Sequence, residues 1–304
     1  MAETRAKHIP VMLMEVLQYL NPQPGEIYVD ATFGNGGYTK AILEAAGCKV
    51  IALDRDPNVV VRANELKNMY GERFEFRSGK FGNFSDLVPE KINGAVFDIG
   101  VSSMQLDNAE RGFSFSKEAD LDMRMSCEGI SAKDIVNSLS EKELADTIFN
   151  YGEERKSRQI AQKIVEYRRK KRIETTTELA EIIYTVIHRK AGETDPATRT
   201  FQALRIAVND ELGELERGLE QAANCLLSKG RLVVVDFHSL EDRIVKNFMK
   251  ENGGRKVKIS KYAPELTEDN SLFCEVSKAI VPTADECRNN PRARSAKLRF
   301  AVRR

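Results

Sequence analysis

Short apolar runs rich in β-forming residues alternate with helix-forming stretches along the first hundred residues of the chain. The apolar runs predict four strands, at residues 27–29, 49–54, 73–77 and 94–98. The stretches between them predict helices at 38–46 and from 55 to about 69. The resulting order, β-α-β-α-β-β, indicates an α/β protein with a parallel, doubly wound sheet. Such sheets bind ligands at the carboxyl ends of their strands, and Asp30, Asp54 and Asp98 are predicted at those ends.

The pattern changes between residues 108 and 191, where apolar positions recur at helical spacing and no convincing strand is found. Ser131, Ser140 and Thr175 are each followed three residues later by an acidic residue, which is typical of a capping box. Three apolar stripes follow helical spacing: Leu144, Ile148 and Tyr151; Ile160, Ile164 and Tyr167; and Leu179, Ile182, Ile183, Val186 and Ile187. We therefore predict an inserted all-helical domain of three or four short helices at residues 108–194, and a sheet domain formed by residues 1–107 and 195–304.

The chain is predicted to return to the sheet domain through one long helix, which begins at Asp195 and Pro196 and keeps its apolar spacing to Leu219. Residues 230–238 then predict a fifth, fully buried strand, and residues 239–242 predict the cap of the next helix. Apolar and basic residues alternate from 296 to 303, which predicts a final strand with one exposed face.

A glycine-rich turn follows the first strand and precedes the first helix of this pattern. A nicotinamide dinucleotide site would need glycines at 34, 36 and 39, but the last position is Thr39. The adjacent pair Gly36 and Gly37 favours another nucleotide-like ligand, S-adenosylmethionine (SAM), held by the turn and the helix N-terminus. Asp54, at the end of the next strand, can accept hydrogen bonds from both ribose hydroxyls. The alternative is a purely structural turn between two core strands.

Composition limits the class of protein. The chain has 304 residues, with 41% apolar and 31% charged residues and a net charge of only +1, so a basic surface must be local. The five cysteines are widely spaced and none forms Cys-x-x-Cys, which argues against a zinc site or a disulfide framework, and no metal is predicted. A reducing compartment, the cytoplasm, is the simplest expectation. The sequence contains neither a signal-peptide pattern nor an apolar run of transmembrane length.

Two local clusters of positive charge interrupt this near-neutral balance. One cluster lies in the helical region: Arg168, Arg169, Lys170, Lys171 and Arg172. The other lies near the C-terminus: Arg292, Arg294, Lys297 and Arg299. Such runs are commonly solvated helix ends or faces. The alternative is a surface that contacts the phosphates of a nucleic acid.

Five motifs, spread in order over nearly the whole chain, resemble those of the bacterial 16S ribosomal RNA (cytosine-N4)-methyltransferase family. Each motif is weak by itself, whereas five in the same order are highly specific. The motifs are Asp30-Ala-Thr-Phe-Gly-Asn-Gly-Gly; Asp98-Ile-Gly-Val-Ser-Ser-Met-Gln-Leu-Asp107 with Arg111-Gly-Phe-Ser-Phe115; Thr198-Arg-Thr-Phe-Gln-Ala-Leu-Arg205; Phe237-His-Ser-Leu-Glu-Asp-Arg243; and Asn290-Pro-Arg-Ala-Arg-Ser-Ala-Lys-Leu-Arg299.

The resemblance implies a class I SAM-dependent methyltransferase domain, Rossmann-like with a mostly parallel sheet, and an inserted helical domain expected to contact RNA. It implies SAM as the cofactor and a decoding-site cytidine of 16S ribosomal RNA, in the small ribosomal subunit, as the target. Added to Asp30 and Gly34 of the turn, the residues that it assigns to the cofactor are Gly36, Gly37, Tyr38, Asp54, Phe81, Asp98 and Gln105.

The chain departs from the family pattern at two places. Tyr38 stands where the family often has histidine, so only the backbone role of that position is carried over. Many members have additional cysteines before the last motif, where this chain has only Cys274 and Cys287. Neither departure affects the implied chemistry.

The implied reaction is attack of a cytosine amine on a sulfonium methyl group, which mainly requires alignment of the reactants. Asp98 can serve the cofactor or accept a hydrogen bond from the amine, and the sequence does not separate these roles. Phe237 and His238 are candidates for stacking and polar contact with an extruded base, or else a core aromatic and a helix-start histidine. Two other functions stay open: a nucleotide-dependent oxidoreductase, and a non-catalytic RNA-binding or assembly factor. The oligomeric state, a homodimer included, also stays open.

Overall fold

The computed structural model describes residues 10–190, 192–253 and 271–304. The chain forms two compact units. The first contains the residues up to Gly100 and resumes at Leu212, and the second is Val101–Glu211. The second unit extends beyond the predicted insertion, residues 108–194, at both ends.

One seven-stranded sheet forms the framework of the first unit. Its strands are β1 (Ile27–Asp30), β2 (Lys49–Asp54), β3 (Phe74–Ser78), β4 (Ile92–Asp98), β5 (Leu226–Asp236), β6 (Phe273–Val276) and β7 (Lys297–Arg303). Their order across the sheet is β3-β2-β1-β4-β5-β7-β6. The first five strands in this order are parallel, and β7 is antiparallel to both of its neighbours. This is the class I methyltransferase fold, as predicted.

Helices connect the strands of the first unit and make up most of the second. In chain order they are α1 (Leu13–Leu20), α2 (Gly37–Ala45), α3 (Val60–Tyr70), α4 (Phe84–Leu87), α5 (Ser103–Asp107), α6 (Ala132–Ser138), α7 (Glu141–Gly152), α8 (Ser157–Arg168), α9 (Thr176–Tyr184), α10 (Ala197–Asn209), α11 (Glu211–Cys225), α12 (Ser239–Asn252) and α13 (Ala284–Asn289). No helix within the described part of the chain is both long enough and apolar enough to span a membrane.

Burial of the central strands explains their continuous apolar sequences. Strands β4 and β5 have neighbours on both sides, and their residues pack with the apolar faces of α11 and α12. Leu215 and Leu219 of α11 and Val245 of α12 are completely buried in this core. An apolar run without alternation is expected for a strand covered on both faces.

The helices of the second unit begin where the sequence predicts. Ser131, Ser140 and Thr175 each cap a helix, and in all three the acidic residue three positions later completes the reciprocal capping box. The predicted apolar stripes form the core: Leu144, Ile148, Ile160, Ile164, Leu179, Ile182 and Ile183 are buried, and Tyr167, Val186 and Ile187 pack against them. The predicted short helices are therefore confirmed as α6 to α9.

The single long helix predicted from residue 195 is wrong. The chain breaks at Asp210, which adopts a left-handed conformation with φ of 49°, so that α10 and α11 are separate helices. Asn209, the last residue of α10, donates to the Met123 carbonyl at 2.8 Å and accepts from the Met125 N–H at 2.9 Å. These bonds fix α10 within the second unit, which is why that unit ends later than predicted.

The predicted exposed face of the last strand is also wrong. Strand β7 lies inside the sheet between β5 and β6, and its residues 298–302 are buried. Arg299 is only 8% exposed because its guanidinium donates two hydrogen bonds to Asp242, at 2.7 and 2.9 Å. An internal ion pair thus allows a basic residue to occupy a buried position of the strand. The neighbouring helix cap is displaced by one residue, since His238 rather than Ser239 is the N-cap of α12.

Candidate functional site

Carboxylates end three adjacent parallel strands of the sheet. Strand β1 ends at Asp30, β2 at Asp54 and β4 at Asp98, as predicted. Strand β5 adds a fourth, Asp236, at its own end. Because these strands are parallel, all four carboxyl ends lie along one edge of the sheet.

Asp30 braces the turn that follows β1. Its side chain is completely buried and accepts from the Thr32 N–H at 3.2 Å, the Thr39 N–H at 3.1 Å and the Thr39 hydroxyl at 2.7 Å. Burial raises the pKa of the Asp30 carboxyl to about 6, although these hydrogen bonds favour the anion. These three hydrogen bonds hold the turn in place, and a contact of Asp30 with the cofactor stays a prediction.

The glycines of the turn are required by close packing. Gly36 has φ of 73°, and a Cβ there would lie 2.8 Å from both Leu66 Cδ1 and Phe33 Cε2. A Cβ on Gly37 would lie 2.4 Å from the ring of Pro10. Substitution at either position would therefore displace the turn.

Hydrogen bonds within the protein also use two N–H groups of the turn. The Gly34 N–H donates to Asp54 Oδ2 at 2.8 Å, and the Gly36 N–H donates to the Phe33 carbonyl at 2.7 Å. These two N–H groups therefore have partners within the protein, and a contact of the turn with the ligand stays a prediction. The turn contributes its shape and the position that it gives to Asp54.

Asp54 keeps accepting capacity after its contacts with the protein. Its Oδ2 accepts from Gly34, and its Oδ1 accepts from the Asp56 N–H at 2.8 Å. Burial raises the pKa of the Asp54 carboxyl above its ordinary value, against the two N–H groups that favour the anion. A carboxylate has about four acceptor positions, so each oxygen can accept one more hydrogen bond. A vicinal diol such as a ribose fits this carboxylate.

The two aromatic residues assigned to the cofactor differ in accessibility. Tyr38 is 3% exposed, and its hydroxyl donates to the Val11 carbonyl, so its side chain is part of the core. Phe81 is half-buried in the single turn Phe81–Asn83 after β3, where its ring meets the edge of Phe97 at a centroid distance of 5.6 Å. Phe81 can still offer a partly exposed ring to a ligand.

Asp98 is one of two carboxyl groups of this edge with a buried oxygen that lacks a hydrogen-bond partner in the described residues. Its N–H donates to the Thr32 hydroxyl at 2.7 Å, which fixes its backbone. Its Oδ1 atom is buried without a hydrogen-bond partner in the described residues. Burial raises the pKa of Asp98 to about 8, and the nearby charges of Asp30 and Glu241 act in the same direction. An unsatisfied buried acceptor of this kind is uncommon and points to a functional role.

Asp236 is not among the site residues predicted from the sequence. It is 1% exposed, and the part of the chain that the structure describes gives its Oδ2 atom no hydrogen-bond partner. Burial raises its pKa to about 8, assisted by the charges of Asp242 and Glu241 and opposed by Lys297 and Arg299. Asp236 ends an apolar run just as the other three carboxylates do, and this pattern could have identified it.

Glu241 holds Phe237 and His238 at the end of β5. Its buried carboxylate accepts from the Phe237 N–H at 2.9 Å and from the His238 N–H at 3.2 Å. In return, His238 Nδ1 accepts from the Glu241 N–H at 3.4 Å. His238 Nε2 lies 3.0 Å from Glu241 Oε1, but the angles are not those of a hydrogen bond. The two candidate base-contacting residues therefore have a fixed backbone beside Asp98's strand.

Gln105 lies in the second unit and caps helix α5. Its side-chain oxygen accepts from the Ser102 N–H at 3.0 Å, and its own N–H donates to the Ser102 hydroxyl at 3.3 Å. A role in cofactor binding remains a prediction for this residue.

In the cluster at residues 168–172, the last four residues are exposed, and Arg168, Lys171 and Arg172 make contacts within the protein. Arg168 donates to the carbonyls of Val136 and Leu139. Lys171 pairs with Glu178, and Arg172 pairs with Asp134 at 3.3 Å and Glu174 at 3.2 Å. Arg169 and Lys170 are exposed.

The C-terminal basic cluster contains two residues that pair with the same acid and two residues at exposed positions. Lys297 and Arg299 both pair with Asp242, at 2.8 and 2.7 Å. Arg292 and Arg294 lie in the short turn Pro291–Ser295 and are exposed. No group of three or more potential metal ligands occurs in residues 10–190, 192–253 and 271–304.

Comparison with known proteins identifies the family. The model of the MraW methylase family matches residues 5–304. The chain belongs to the MraW methylase family. Two relatives named ribosomal RNA small subunit methyltransferase H are similar over 298 residues. The one from Rickettsia conorii is 56% identical and covers 97% of each chain, and the one from Rickettsia bellii is 55% identical and covers 97% of this chain and 98% of that one. A solved rRNA methylase from Streptococcus thermophilus is 11% identical, with a TM-score of 0.42 over 96% of this chain and 93% of that one.

Membership of the MraW methylase family decides between the functions that the sequence left open. It favours methyl transfer over the oxidoreductase and over the non-catalytic assembly factor. In this MraW methylase, the acidic edge combines one carboxylate that braces a turn, one with open acceptor positions, and two with an unsatisfied buried oxygen.

The raised pKa of Asp236 predicts a pH-dependent loss of stability. An unfolded aspartate titrates near pH 4, whereas folded Asp236 titrates at about 8. Between these values the folded state binds more protons, so the free energy of unfolding falls as pH rises. Replacing Asp236 by Asn removes this contribution, and the variant should gain stability relative to wild type between about pH 5 and about pH 8. Urea unfolding of both proteins at about pH 5 and about pH 8 measures the difference in their free energies of unfolding.

The matched control is Asp285→Asn, at a side chain that is 79% exposed. It should follow the wild-type pH profile. Parallel profiles for wild type and the Asp236 variant would show that Asp236 is ionised in the folded protein at neutral pH.

Proposed function

We propose that this protein transfers a methyl group from SAM to the N4 amine of a cytidine in the decoding region of 16S ribosomal RNA, in the small ribosomal subunit. The name of its relatives, ribosomal RNA small subunit methyltransferase H, supports the substrate class. The observation that carries the chemistry is the unsatisfied, buried Asp98 oxygen at the strand edge that also presents Asp54. Action on ribosomal RNA implies a cytoplasmic location in a bacterium.

The residues of the strand edge fit SAM. Asp54 would accept from the ribose hydroxyls with its remaining acceptor positions, and Phe81 would flank the adenine. The close packing at Gly36 and Gly37 fixes the shape of the turn beside this edge. When bound, SAM supplies an electrophilic methyl group on a sulfonium.

Asp98 is proposed to act on the attacking amine. The amine lone pair of cytosine is delocalised into the ring, and a hydrogen-bond acceptor for its N–H makes that lone pair more available. As the nitrogen–methyl bond forms, the sulfur–methyl bond would break and leave a neutral thioether. The amine becomes cationic, and a nearby carboxylate stabilises that charge and can receive the released proton. A positive charge beside Asp98 favours its anion, so the group is expected to be ionised when the sulfonium is bound.

The target base must leave its stack to reach this edge. Phe237 and His238 are proposed to contact it, by stacking and by a polar contact, from the end of the strand beside Asp98. The hydrogen bonds from Glu241 hold both residues in position before the base arrives, which reduces the ordering needed in the complex.

Phosphate contacts are proposed for four basic residues at exposed positions of the two clusters. These are Arg169 and Lys170 in the second unit, and Arg292 and Arg294 near the C-terminus. The contacts predicted for Arg168, Lys171, Arg172, Lys297 and Arg299 stay predictions, and these side chains also bond within the protein as described above.

Methyl incorporation tests the function as a whole. Small ribosomal subunits that lack the modification are incubated with the protein and labelled SAM, and the labelled nucleoside is identified by mass spectrometry. We expect N4-methylcytidine from the decoding region. Binding of subunits without incorporation would instead support a non-catalytic assembly factor.

Replacing Asp98 by Asn keeps the shape of the side chain and removes its charge. The single-turnover rate at saturating SAM and subunits should fall about a hundredfold or more, because one preorganised electrostatic contact to the transition state is lost. SAM affinity is measured by calorimetry in parallel. A weakened affinity with an unchanged saturated rate would make Asp98 a cofactor ligand and not an acceptor for the amine.

Replacing Asp54 by Ala should weaken SAM binding at least about tenfold, because hydrogen bonds to a charged acceptor are lost. Calorimetry on the folded variant measures the change. Circular dichroism provides the control for folding, since Asp54 also accepts from Gly34 and Asp56. A folded variant with wild-type affinity would refute the assignment of Asp54 to the ribose.

We expect the logarithm of the RNA-binding constant to fall less steeply with the logarithm of salt concentration when both Arg169 and Lys170 are replaced by Ala. The slope should become shallower by roughly 0.7–0.9 per lost phosphate contact. The double variant Lys246→Ala, Lys250→Ala removes the same charge from exposed positions of α12 and should keep the wild-type slope. Equal slopes for both double variants would mean that Arg169 and Lys170 are solvated residues without a contact to RNA.

A further inference from the structure

We propose that Glu214 is a positioning residue for the adenine side of the cofactor site, acting through the turn that carries Phe81. This inference rests on the proposed SAM site. Glu214 lies on α11, two residues after the chain enters the first unit at Leu212. It does not need to touch the cofactor, because its contacts are with the backbone of the turn.

Two polar side chains of α11 hold the turn by its backbone. Glu214 Oε2 accepts from the Gly82 N–H at 2.9 Å. Gln221 donates to the Gly82 carbonyl at 2.8 Å and accepts from the Ser85 N–H at 2.9 Å. Three hydrogen bonds from one helix therefore fix the short segment between β3 and α4.

Glycines allow the helix and the turn to approach closely. A Cβ on Gly218 would lie 2.7 Å from Phe81 Cδ2 and 3.1 Å from the Phe81 carbonyl oxygen. A Cβ on Gly82 would lie 2.7 Å from Glu214 Oε2. Positions 214, 218 and 221 share one helix face, which is thus shaped to receive the turn.

The same turn is joined to the proposed ribose ligand on its other side. The Gly79 N–H donates to the Asp54 carbonyl at 2.9 Å. The segment that carries Phe81 is therefore fixed between the backbone of Asp54 and the side chains of α11. Its position relative to Asp54 sets the distance between the ribose acceptor and the ring proposed to flank the adenine.

Packing alone would not require a charged residue at this position. Glu214 is 3% exposed, and burying a carboxylate is unfavourable unless it is well bonded. Its other oxygen lies 3.4 Å from Arg217, a residue whose side chain is 48% exposed. A strong acceptor for one glycine N–H fixes the turn more firmly than an apolar contact would.

Calorimetry of SAM binding to the full chain tests the inference. Glu214→Ala should weaken the binding of SAM and the binding of adenosine by the same factor, about tenfold. The methyl-transfer rate at saturating SAM should stay within about twofold of wild type. Glu214→Gln keeps an acceptor oxygen and should restore most of the affinity. Glu216→Ala, at an exposed position of the same helix, is the matched control and should bind as wild type.

Gly218→Ala provides a second variant that does not depend on removing a buried charge. Alanine favours the helix itself, but its Cβ should displace Phe81, so SAM affinity should fall without loss of the folded state. Wild-type protein is measured first, and failure to bind SAM there would overturn the proposed function. Wild-type binding together with unchanged affinity in both the Glu214→Ala and Gly218→Ala variants would overturn this inference alone. A proportional fall of SAM affinity and of the methyl-transfer rate at saturating SAM would also overturn this inference. Such a result would indicate a general disruption of the protein.

Discussion

The buried carboxylate of Asp30 is the interaction on which the geometry of the site depends. It joins the end of β1 to the first turn of α2 through the backbone and hydroxyl of Thr39, and it also accepts from Thr32. A buried charge without such donors would cost several kcal/mol, so the turn must close around it for the fold to be stable. Once the turn is closed, the Gly34 N–H points at Asp54 and Thr32 points at the backbone of Asp98.

Four carboxylates that each end a parallel strand have different roles because their hydrogen-bond partners differ. Asp30 uses both oxygens within the protein, and Asp54 uses each oxygen once. Asp98 and Asp236 each keep a buried oxygen without a partner in the described chain, and burial raises the pKa of both to about 8. The ligand-free protein therefore carries an electrostatic cost at neutral pH, and a cationic ligand at this edge would relieve part of it. Sites that bind charged ligands commonly concentrate such unfavourable groups.

Local patterns were sufficient to predict every strand except β6, the terminal carboxylates Asp30, Asp54 and Asp98, and the three capping boxes of the second unit. Each of these features depends on a few neighbouring residues: an apolar run that an aspartate ends, or a serine followed by an acid three positions later. The break at Asp210 was not predictable in this way, because the apolar spacing continues through it and a single left-handed residue interrupts the helix. The same applies to Arg299, whose burial depends on Asp242, 57 positions earlier in the sequence.

In the site, too, local patterns did not predict the features that depend on residues distant in the sequence. The sequence identified the glycine turn, but the reason for Gly36 and Gly37 lies in Leu66, Phe33 and Pro10, with which a side chain there would collide. The strand-end pattern could have identified Asp236, but its environment also depends on Lys297 and Arg299 of β7, about 60 positions later in the chain. Sequence therefore locates the edge of the sheet that binds the ligand, whereas the role of each carboxylate is decided by contacts between distant segments.

A crystal structure of the protein with S-adenosylhomocysteine would test this division of roles most directly. We expect Asp54 to accept hydrogen bonds from both ribose hydroxyls while Asp30 keeps its bonds to Thr32 and Thr39, and the Asp98 carboxyl to face the sulfur side of the ligand. A ribose bound to any other group, or an Asp30 carboxylate that has left Thr39 to contact the ligand, would contradict the account.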